Sequence, residues 1–151
     1  MNRWLFGAGM LGLLACARNP VATVPAGPPP LILADFVDDY GGRFTVTRDD
    51  WFQRPRSHYR IVAWYPREQY LIAQNDSANR SAPRRWTRID WLALPDEQAF
   101  QWGFCFSAYD APTRAAAEAT HVVDRQHPKT GCNGYPFSRM RPNPASSTGV
   151  P

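Results

Sequence analysis

Phe100-Gln101-Trp102-Gly103-Phe104-Cys105-Phe106-Ser107-Ala108 is the stretch that decides the fold. Large aromatic side chains occupy its even positions, and small or polar side chains occupy its odd positions. This period-two alternation is typical of a β-strand in an antiparallel sheet with one buried face. The aromatic positions are Phe100, Trp102, Phe104 and Phe106.

Segments upstream of this stretch have the same composition, since they are rich in aromatic and β-branched residues. Residues 58–65 and 69–75 are separated only by Pro66-Arg67-Glu68, which predicts a hairpin. Residues 75–83 are polar and predict a mobile loop. The predicted strands before the deciding stretch are residues 42–47, 58–65, 69–75 and 85–92.

One helix is predicted near residues 111–123. Asp110 is a candidate N-cap, Pro112 lies in the first turn, and residues 114–119 favour helix strongly. Residues 124–140 are rich in proline and glycine and predict irregular structure.

The fold class is therefore mainly β (α+β). We expect a small curved antiparallel sheet or a lipocalin-like barrel of five or more strands, and a flatter α+β sheet is the alternative. Gly42-Arg43-Phe44 lacks the Trp of the lipocalin Gly-x-Trp signature. The similarity to lipocalins is consequently one of architecture only.

The first residues of the chain predict export. Arg3 precedes an apolar stretch from Trp4 to Ala15, which is the layout of a secretory signal. This stretch is shorter than the roughly 20 apolar residues that a membrane-spanning helix needs.

Leu13-Leu14-Ala15-Cys16 resembles the lipobox of bacterial lipoproteins. The resemblance implies that residues 1–15 are removed and that Cys16 becomes the lipid-bearing first residue, anchored in the membrane by two or three acyl chains. A plain signal peptide that contains a cysteine is the alternative. Residue 17 is Ala rather than Asp, and by the same resemblance the lipoprotein would be sorted to the outer membrane.

The two remaining cysteines, Cys105 and Cys132, are predicted to form a disulfide because an exported chain enters an oxidising compartment. The bond would close a loop of about 27 residues and stabilise the fold by roughly 3 kcal/mol. A Cys/His metal site with His121 and His127 is the alternative, but the spacing matches no familiar zinc pattern.

The 151 residues divide into one domain and its flanks. Residues 16–32 are rich in proline and predict an extended tether. Residues 33–140 form the predicted domain, and residues 141–151 predict a disordered tail. The net charge of +4 is dispersed along the chain, and so we expect no nucleic-acid partner.

The domain also resembles a group of uncharacterised bacterial exported proteins. The resemblance implies no activity. The segments that carry it are residues 70–75, 86–91, 109–113 and 131–138.

Catalytic and cofactor motifs are absent from the sequence: it has no nucleophile elbow, zinc-binding helix motif, phosphate loop or dinucleotide fingerprint. Ser107 or Ser138 with His121 and Asp124 would supply the residue types of a hydrolytic triad, but no spacing supports it. We therefore predict no catalytic residue, no metal site and no cofactor.

Two groups of polar residues are candidate ligand sites. Asp90 shares a strand face with Trp86 and Arg88, and this group would bind a polar ligand at a barrel mouth. A solvated or structural ion pair on the outer face is the alternative. Gln74, Asn75 and Asp76 end a strand next to a polar loop and would bind a sugar or a metal, or simply form a turn.

Two further features have a functional and a structural interpretation. The tryptophans of the domain would stack on ligands if exposed, but they are also needed for the core. Residues 131–135 would form an anion-binding nest or a disulfide-stapled turn. The expected function is a non-enzymatic binding or envelope-associated module, and the alternatives are an apolar-ligand carrier and a periplasmic enzyme acting on glycans.

Overall fold

Eight antiparallel strands close into a barrel because the last strand pairs with both its predecessor and the first strand. The computed structural model describes residues 27–146. Of the predicted architectures, the closed barrel is the one observed. Its strands are β1 (Asp35–Asp38), β2 (Arg43–Val46), β3 (Asp50–Arg54), β4 (Ser57–Tyr65), β5 (Tyr70–Asn75), β6 (Trp86–Ala93), β7 (Trp102–Ala111) and β8 (Ser138–Pro142).

The five predicted strands correspond to β2, β4, β5, β6 and β7, and the β4–β5 hairpin is confirmed. β1, β3 and β8 are not predicted by the sequence pattern. Each has only four or five residues and mixes charged side chains with apolar ones. The strand prediction is wrong for Phe100, which lies before β7 and under the Arg139 guanidinium, whose carbon is 4.6 Å from the ring centroid.

Aromatic side chains fill the barrel interior. Trp51 and Trp102 are fully buried there, and their ring centroids lie 6.0 Å apart with the planes nearly perpendicular. Phe104 packs edge-on against Trp51 at 5.1 Å. The other buried members of this core are Ile32, Phe36, Phe44, Val46, Ile61, Leu71, Ala73, Ile89, Trp91 and Met140.

Both predicted boundaries of the domain need correction. Pro30–Ile32 forms a 3-10 turn, and the Ile32 side chain is fully buried in the barrel core, so this part of the predicted tether belongs to the fold. At the other end, β8 continues to Pro142, inside the predicted tail. The predicted signal peptide, the lipobox and most of the tether lie outside the described residues.

The single α-helix of the described residues, α1, spans Arg114–Glu118. Its N-cap is Thr113, whose hydroxyl accepts a hydrogen bond from the Ala116 amide. The predicted cap, Asp110, is wrong because β7 extends to Ala111 and Pro112 follows. The helix also ends well before the predicted residue 123. Within residues 27–146 no helix has the length and apolarity needed to cross a membrane.

The outer faces of β6 and β7 are covered, and so these strands are buried on both faces over much of their length rather than on one. Helix α1 packs over β5, β6 and β7. Residues 120–137, here called the flap, follow the helix and are joined to β7 by the predicted disulfide between Cys105 and Cys132. The flap contributes Phe137, which packs with Leu92 and Cys105.

Candidate functional site

Asp90 is a fully buried carboxylate on the outer face of β6. The Arg88 guanidinium donates to both of its oxygens, at 2.8 and 3.0 Å, and the Ser107 hydroxyl donates to one of them. Arg88 also lies over the Tyr70 ring, 3.8 Å from the centroid, and donates to the Glu118 carbonyl at the end of α1. The carboxylate therefore connects three strands and the helix.

Arg125 joins the flap to the same carboxylate. Its Nη2 donates to Asp90 at 2.8 Å and to the Gln69 carbonyl at 2.8 Å, while its Nε donates to the Trp91 carbonyl at 2.9 Å. Asp90 thus has a partner for each of its oxygens and no surface for a ligand. The ligand-site hypothesis for Asp90 and Arg88 is wrong, and the structural ion pair is what the structure shows.

The remaining predicted site residues point to different surroundings. Trp86 is partly buried and packs in the outer apolar cluster with Ile72 and Ala117. Gln74 lies opposite Trp86 across the β5–β6 pair and is exposed. Asn75 is buried, and its amide nitrogen donates to the Ala82 and Tyr109 carbonyls. Asn75 therefore anchors the 76–85 loop, and these residues form no common site.

The residue types of a hydrolytic triad are not assembled. Ser107 donates to Asp90, and Asp124 lies 2.8 Å from His127 rather than beside His121. That hydrogen bond to His127 is the main reason that the pKa of Asp124 is lowered.

Residues 131–135 form the stapled turn rather than an anion nest, because their amides are used in backbone hydrogen bonds. Cys132 and Tyr135 exchange two such bonds, and the Gly134 amide donates to Thr130. Gly131 is required here, since a Cβ at this position would lie 1.8 Å from the Asp124 carbonyl oxygen.

A second titratable cluster surrounds His58 at the start of β4. Its Nε2 is 2.6 Å from an Asp50 oxygen, and its Nδ1 is 3.6 Å from an Asp76 oxygen. The hydrogen bond from the Ala78 amide is the largest cause of the lowered pKa of Asp76. Asn79 exchanges hydrogen bonds with the His58 backbone, and the cluster thereby ties β4 to the 76–85 loop.

The barrel interior has the character of a packed core. The buried indole nitrogens of Trp51 and Trp102 have no hydrogen-bond partner among the described residues. Both rings are surrounded by edge-to-face aromatic neighbours, an arrangement that sets the positive edge of one ring against the negative face of the next. The centre of the barrel is therefore filled by aromatic side chains, and the buried polar pair of Asn75 and Thr87 is satisfied by its own hydrogen bond.

The candidate functional site is a cleft on the outside of the barrel, of about 310 Å³. The turn between β1 and β2, the loop between β6 and β7, and the flap enclose it. We call it the outer cleft. It is lined by Asp39, Tyr40, Leu94, Glu97, Pro128, Lys129, Pro136, Phe137 and Arg139. This volume lies at the lower end of the usual range for small-molecule sites, roughly 300–1,000 Å³.

The outer cleft has an apolar floor and a charged rim. Leu94 is half-buried and Phe137 is buried, while Tyr40 is 74% exposed at the tip of its turn. Arg139 bridges two carboxylates of the rim, at 3.0 Å from Asp39 and 3.2 Å from Glu97. The hydrogen bond to Asp39 is the main cause of the raised pKa of Arg139.

Lys129 is the only lysine of the chain and is exposed at the rim. Within residues 27–146, no carboxylate lies within salt-bridge distance of its ammonium group. It is thus the unpaired positive charge of the outer cleft. No local sequence pattern indicates the cleft, because its walls come from segments far apart in the chain.

Among the described residues, no group of three or more His, Cys, Asp or Glu side chains is arranged to hold a metal ion. Comparisons of this chain with protein-family models, with curated proteins and with solved structures find no match.

Proposed function

We propose that this chain is a lipid-anchored, non-enzymatic binding module of the bacterial envelope, sorted to the outer membrane. The proposal further holds that it binds its ligand in the outer cleft. Support for the anchor comes from the sequence of residues 1–16, which resembles a lipoprotein signal with its acceptor cysteine. A small β-barrel is compatible with a binding role.

The observation that carries the proposal is the contrast between the interior of the barrel and its outer surface. Trp51, Trp102 and Phe104 occupy the centre, where a carrier of lipocalin type would hold its ligand. The outer cleft is open and combines apolar walls with a few charged groups, as ligand sites usually do. This contrast favours the binding module over the apolar-ligand carrier.

The charges of the outer cleft also favour binding over glycan hydrolysis. A glycosidase needs one carboxyl group that is free to donate a proton and a second that acts as nucleophile or base. Asp39 and Glu97 are both held by the Arg139 guanidinium. The ligand class that fits best has an apolar body for Leu94 and Phe137 and an acidic group for Lys129.

The location of the ligand is tested by placing a photo-crosslinking amino acid at Tyr40 in cells of a bacterium that produces the anchored chain. We expect a discrete adduct after irradiation, and we expect Lys129→Glu to weaken it about tenfold or more. The matched control places the crosslinker at Tyr109, which is 55% exposed and outside the cleft. No adduct at Tyr40, or the same adducts at both positions, contradicts the proposal.

The anchor is tested separately by mass spectrometry of the chain recovered from the envelope. We expect an N-terminal peptide that begins at Cys16 and carries acyl groups, and we expect Cys16→Ser to release the protein from the membrane fraction. An unmodified chain that begins at Met1 contradicts the anchor but leaves the cleft to its own test.

A further inference from the structure

Three arginines lie side by side on the outer face of the barrel opposite the helix and the flap. In the strand registers, Arg54 on β3 faces Arg43 on β2, Arg43 faces Val37 on β1, and Val37 faces Arg141 on β8. Residues that face each other in this way point to the same side of a sheet. All three arginines are exposed, and we call them the arginine row.

Folding stability does not account for the arginine row. Like charges directly opposite each other in an antiparallel pair are destabilising, and Arg43 and Arg54 form such a pair. Within residues 27–146, none of the three arginines has a carboxylate within salt-bridge distance. The arginines elsewhere in the fold that do form salt bridges are Arg88, Arg114, Arg125 and Arg139.

One member of the row is held in position. Arg54 donates through Nε and Nη2 to the Thr45 hydroxyl, at 3.2 and 3.1 Å, and its guanidinium carbon lies 5.1 Å from the centroid of Phe52. Two shallow concavities border Arg43 and Arg54, of about 450 and 280 Å³, and the second also contains Asp35, which accepts a hydrogen bond from the Thr45 hydroxyl. The first also includes Gly41 and Gly42 of the β1–β2 turn, whose tip carries the exposed Tyr40.

We infer that the arginine row is a docking surface for the acidic phospholipid headgroups of a membrane. The charge of the row is complementary to such a surface, and each arginine near an anionic leaflet adds to the binding. Tyr40 lies beside the row, and tyrosine is enriched where protein meets the headgroup region. The row would orient the domain on the membrane, while the proposed anchor keeps it nearby.

The test uses the mature chain from residue 16 with Cys16→Ser, so that no acyl group contributes and a failure does not bear on the anchor. Its binding is measured by co-flotation with vesicles of phosphatidylglycerol and phosphatidylcholine, and with vesicles of phosphatidylcholine alone. We expect binding to the acidic vesicles only, and loss of that binding at high salt. The triple variant Arg43→Gln, Arg54→Gln, Arg141→Gln should bind about a hundredfold more weakly.

Two control variants separate this surface from net charge and from misfolding. Arg67→Gln, Arg80→Gln, Arg85→Gln removes the same charge from exposed positions outside the row and should leave binding unchanged. Arg43→Lys, Arg54→Lys, Arg141→Lys keeps the charge and should retain binding. The thermal midpoint of each variant shows that it is folded.

Three outcomes would overturn the inference. One is the absence of binding to acidic vesicles, and another is an equal loss of binding in the row variant and in its charge-matched control. The third is saturable binding of inorganic phosphate to the row at millimolar concentration that prevents vesicle binding, because that result identifies a small-anion site instead of a membrane surface.

Discussion

At the scale of single residues, the Asp90 carboxylate has a structural role. Its side chain is fully buried, and Arg88, Arg125 and Ser107 satisfy its oxygens. A buried ion contributes to stability only when such partners offset the loss of its hydration. Removing the carboxylate would leave the Arg88 guanidinium charged and buried without its counterion.

We therefore expect Asp90→Asn to lower the free energy of unfolding by about 3–5 kcal/mol. Urea denaturation of the oxidised protein measures this value. Asp96→Asn is the control, because Asp96 is exposed and should change stability by no more than about 0.5 kcal/mol. If Asp90→Asn also changed the free energy of unfolding by no more than about 0.5 kcal/mol, the buried ion pairs would not contribute to the stability of the fold.

The sequence predicts the face that Asp90 shares, but not what covers that face. Alternation along β6 correctly places Arg88 and Asp90 together. It does not distinguish the lumen of a barrel from an outer face buried by a helix and a flap, because both environments exclude water. Arg125 lies 35 positions along the chain from Asp90 and has no local signal that connects the two.

At the scale of elements, the disulfide holds the flap against β7. Cys105 and Cys132 are 27 residues apart, and by loop-closure entropy we expect their reduction to cost about 3 kcal/mol of stability. Denaturation with and without reductant measures the difference. In the control variant, Cys105→Ser with Cys132→Ser, reductant should have no further effect. An unchanged wild-type midpoint under reductant would mean that the bond does not constrain the unfolded chain.

Helix α1 is five residues long and depends on contacts with the barrel. Glu118 accepts hydrogen bonds from Arg114 and from Tyr65 of β4, and the bond from Arg114 is the main reason that its pKa lies below the ordinary value. A lowered pKa in the folded state means that the stabilisation is present above the unfolded pKa. It is lost as the pH falls through the folded pKa.

Glu118→Gln should accordingly reduce stability at pH 7 by less than about 1 kcal/mol, because the ion pair is largely exposed. The difference between variant and wild type should disappear as the pH falls well below 4.5, the ordinary pKa of this carboxyl group. Paired urea titrations at pH 7 and near pH 3 measure both values. A difference that persists in acid would assign the effect to packing rather than to charge.

The strands that the sequence predicts are those with a clear apolar period. β7 alternates over its first residues, and β4 and β5 are long enough for the hairpin to be recognised. β8 has the sequence Ser-Arg-Met-Arg-Pro and contributes a single core side chain, Met140. A strand that buries one residue leaves almost no periodic signal, although this one closes the barrel.

At the scale of the whole molecule, the barrel differs from a carrier of lipocalin type. Its interior is packed with side chains, and its open cleft lies on the outer surface. Most of the tryptophans that were candidates for stacking on a ligand are part of the hydrophobic core instead. Trp51, Trp91 and Trp102 are buried. An open cleft lies where the β1–β2 turn, the β6–β7 loop and the flap meet. A site of this kind depends on the closure of the barrel, which a single sequence does not reveal.

The packed interior is tested by removing its largest side chain. Trp102 contacts Phe36, Trp51 and Phe104, and Trp102→Ala should cost about 3–5 kcal/mol and leave an apolar cavity. Cavities of this type stay dry and bind benzene-sized molecules. We expect benzene to stabilise this variant against thermal unfolding and to leave the wild type unaffected.

Trp86→Ala is the matched control, because Trp86 packs on the outside of the barrel and its loss opens no interior space. Trp102→Phe, which removes less volume, keeps the experiment possible if the alanine variant does not fold. Equal stabilisation of the wild type would mean that the intact protein already binds benzene, in the interior or in the outer cleft, and would contradict the prediction that the substitution opens the apolar space. In that case the benzene has to be located in the wild type, because binding in the interior would favour a carrier and binding at Leu94 and Phe137 would favour the outer cleft.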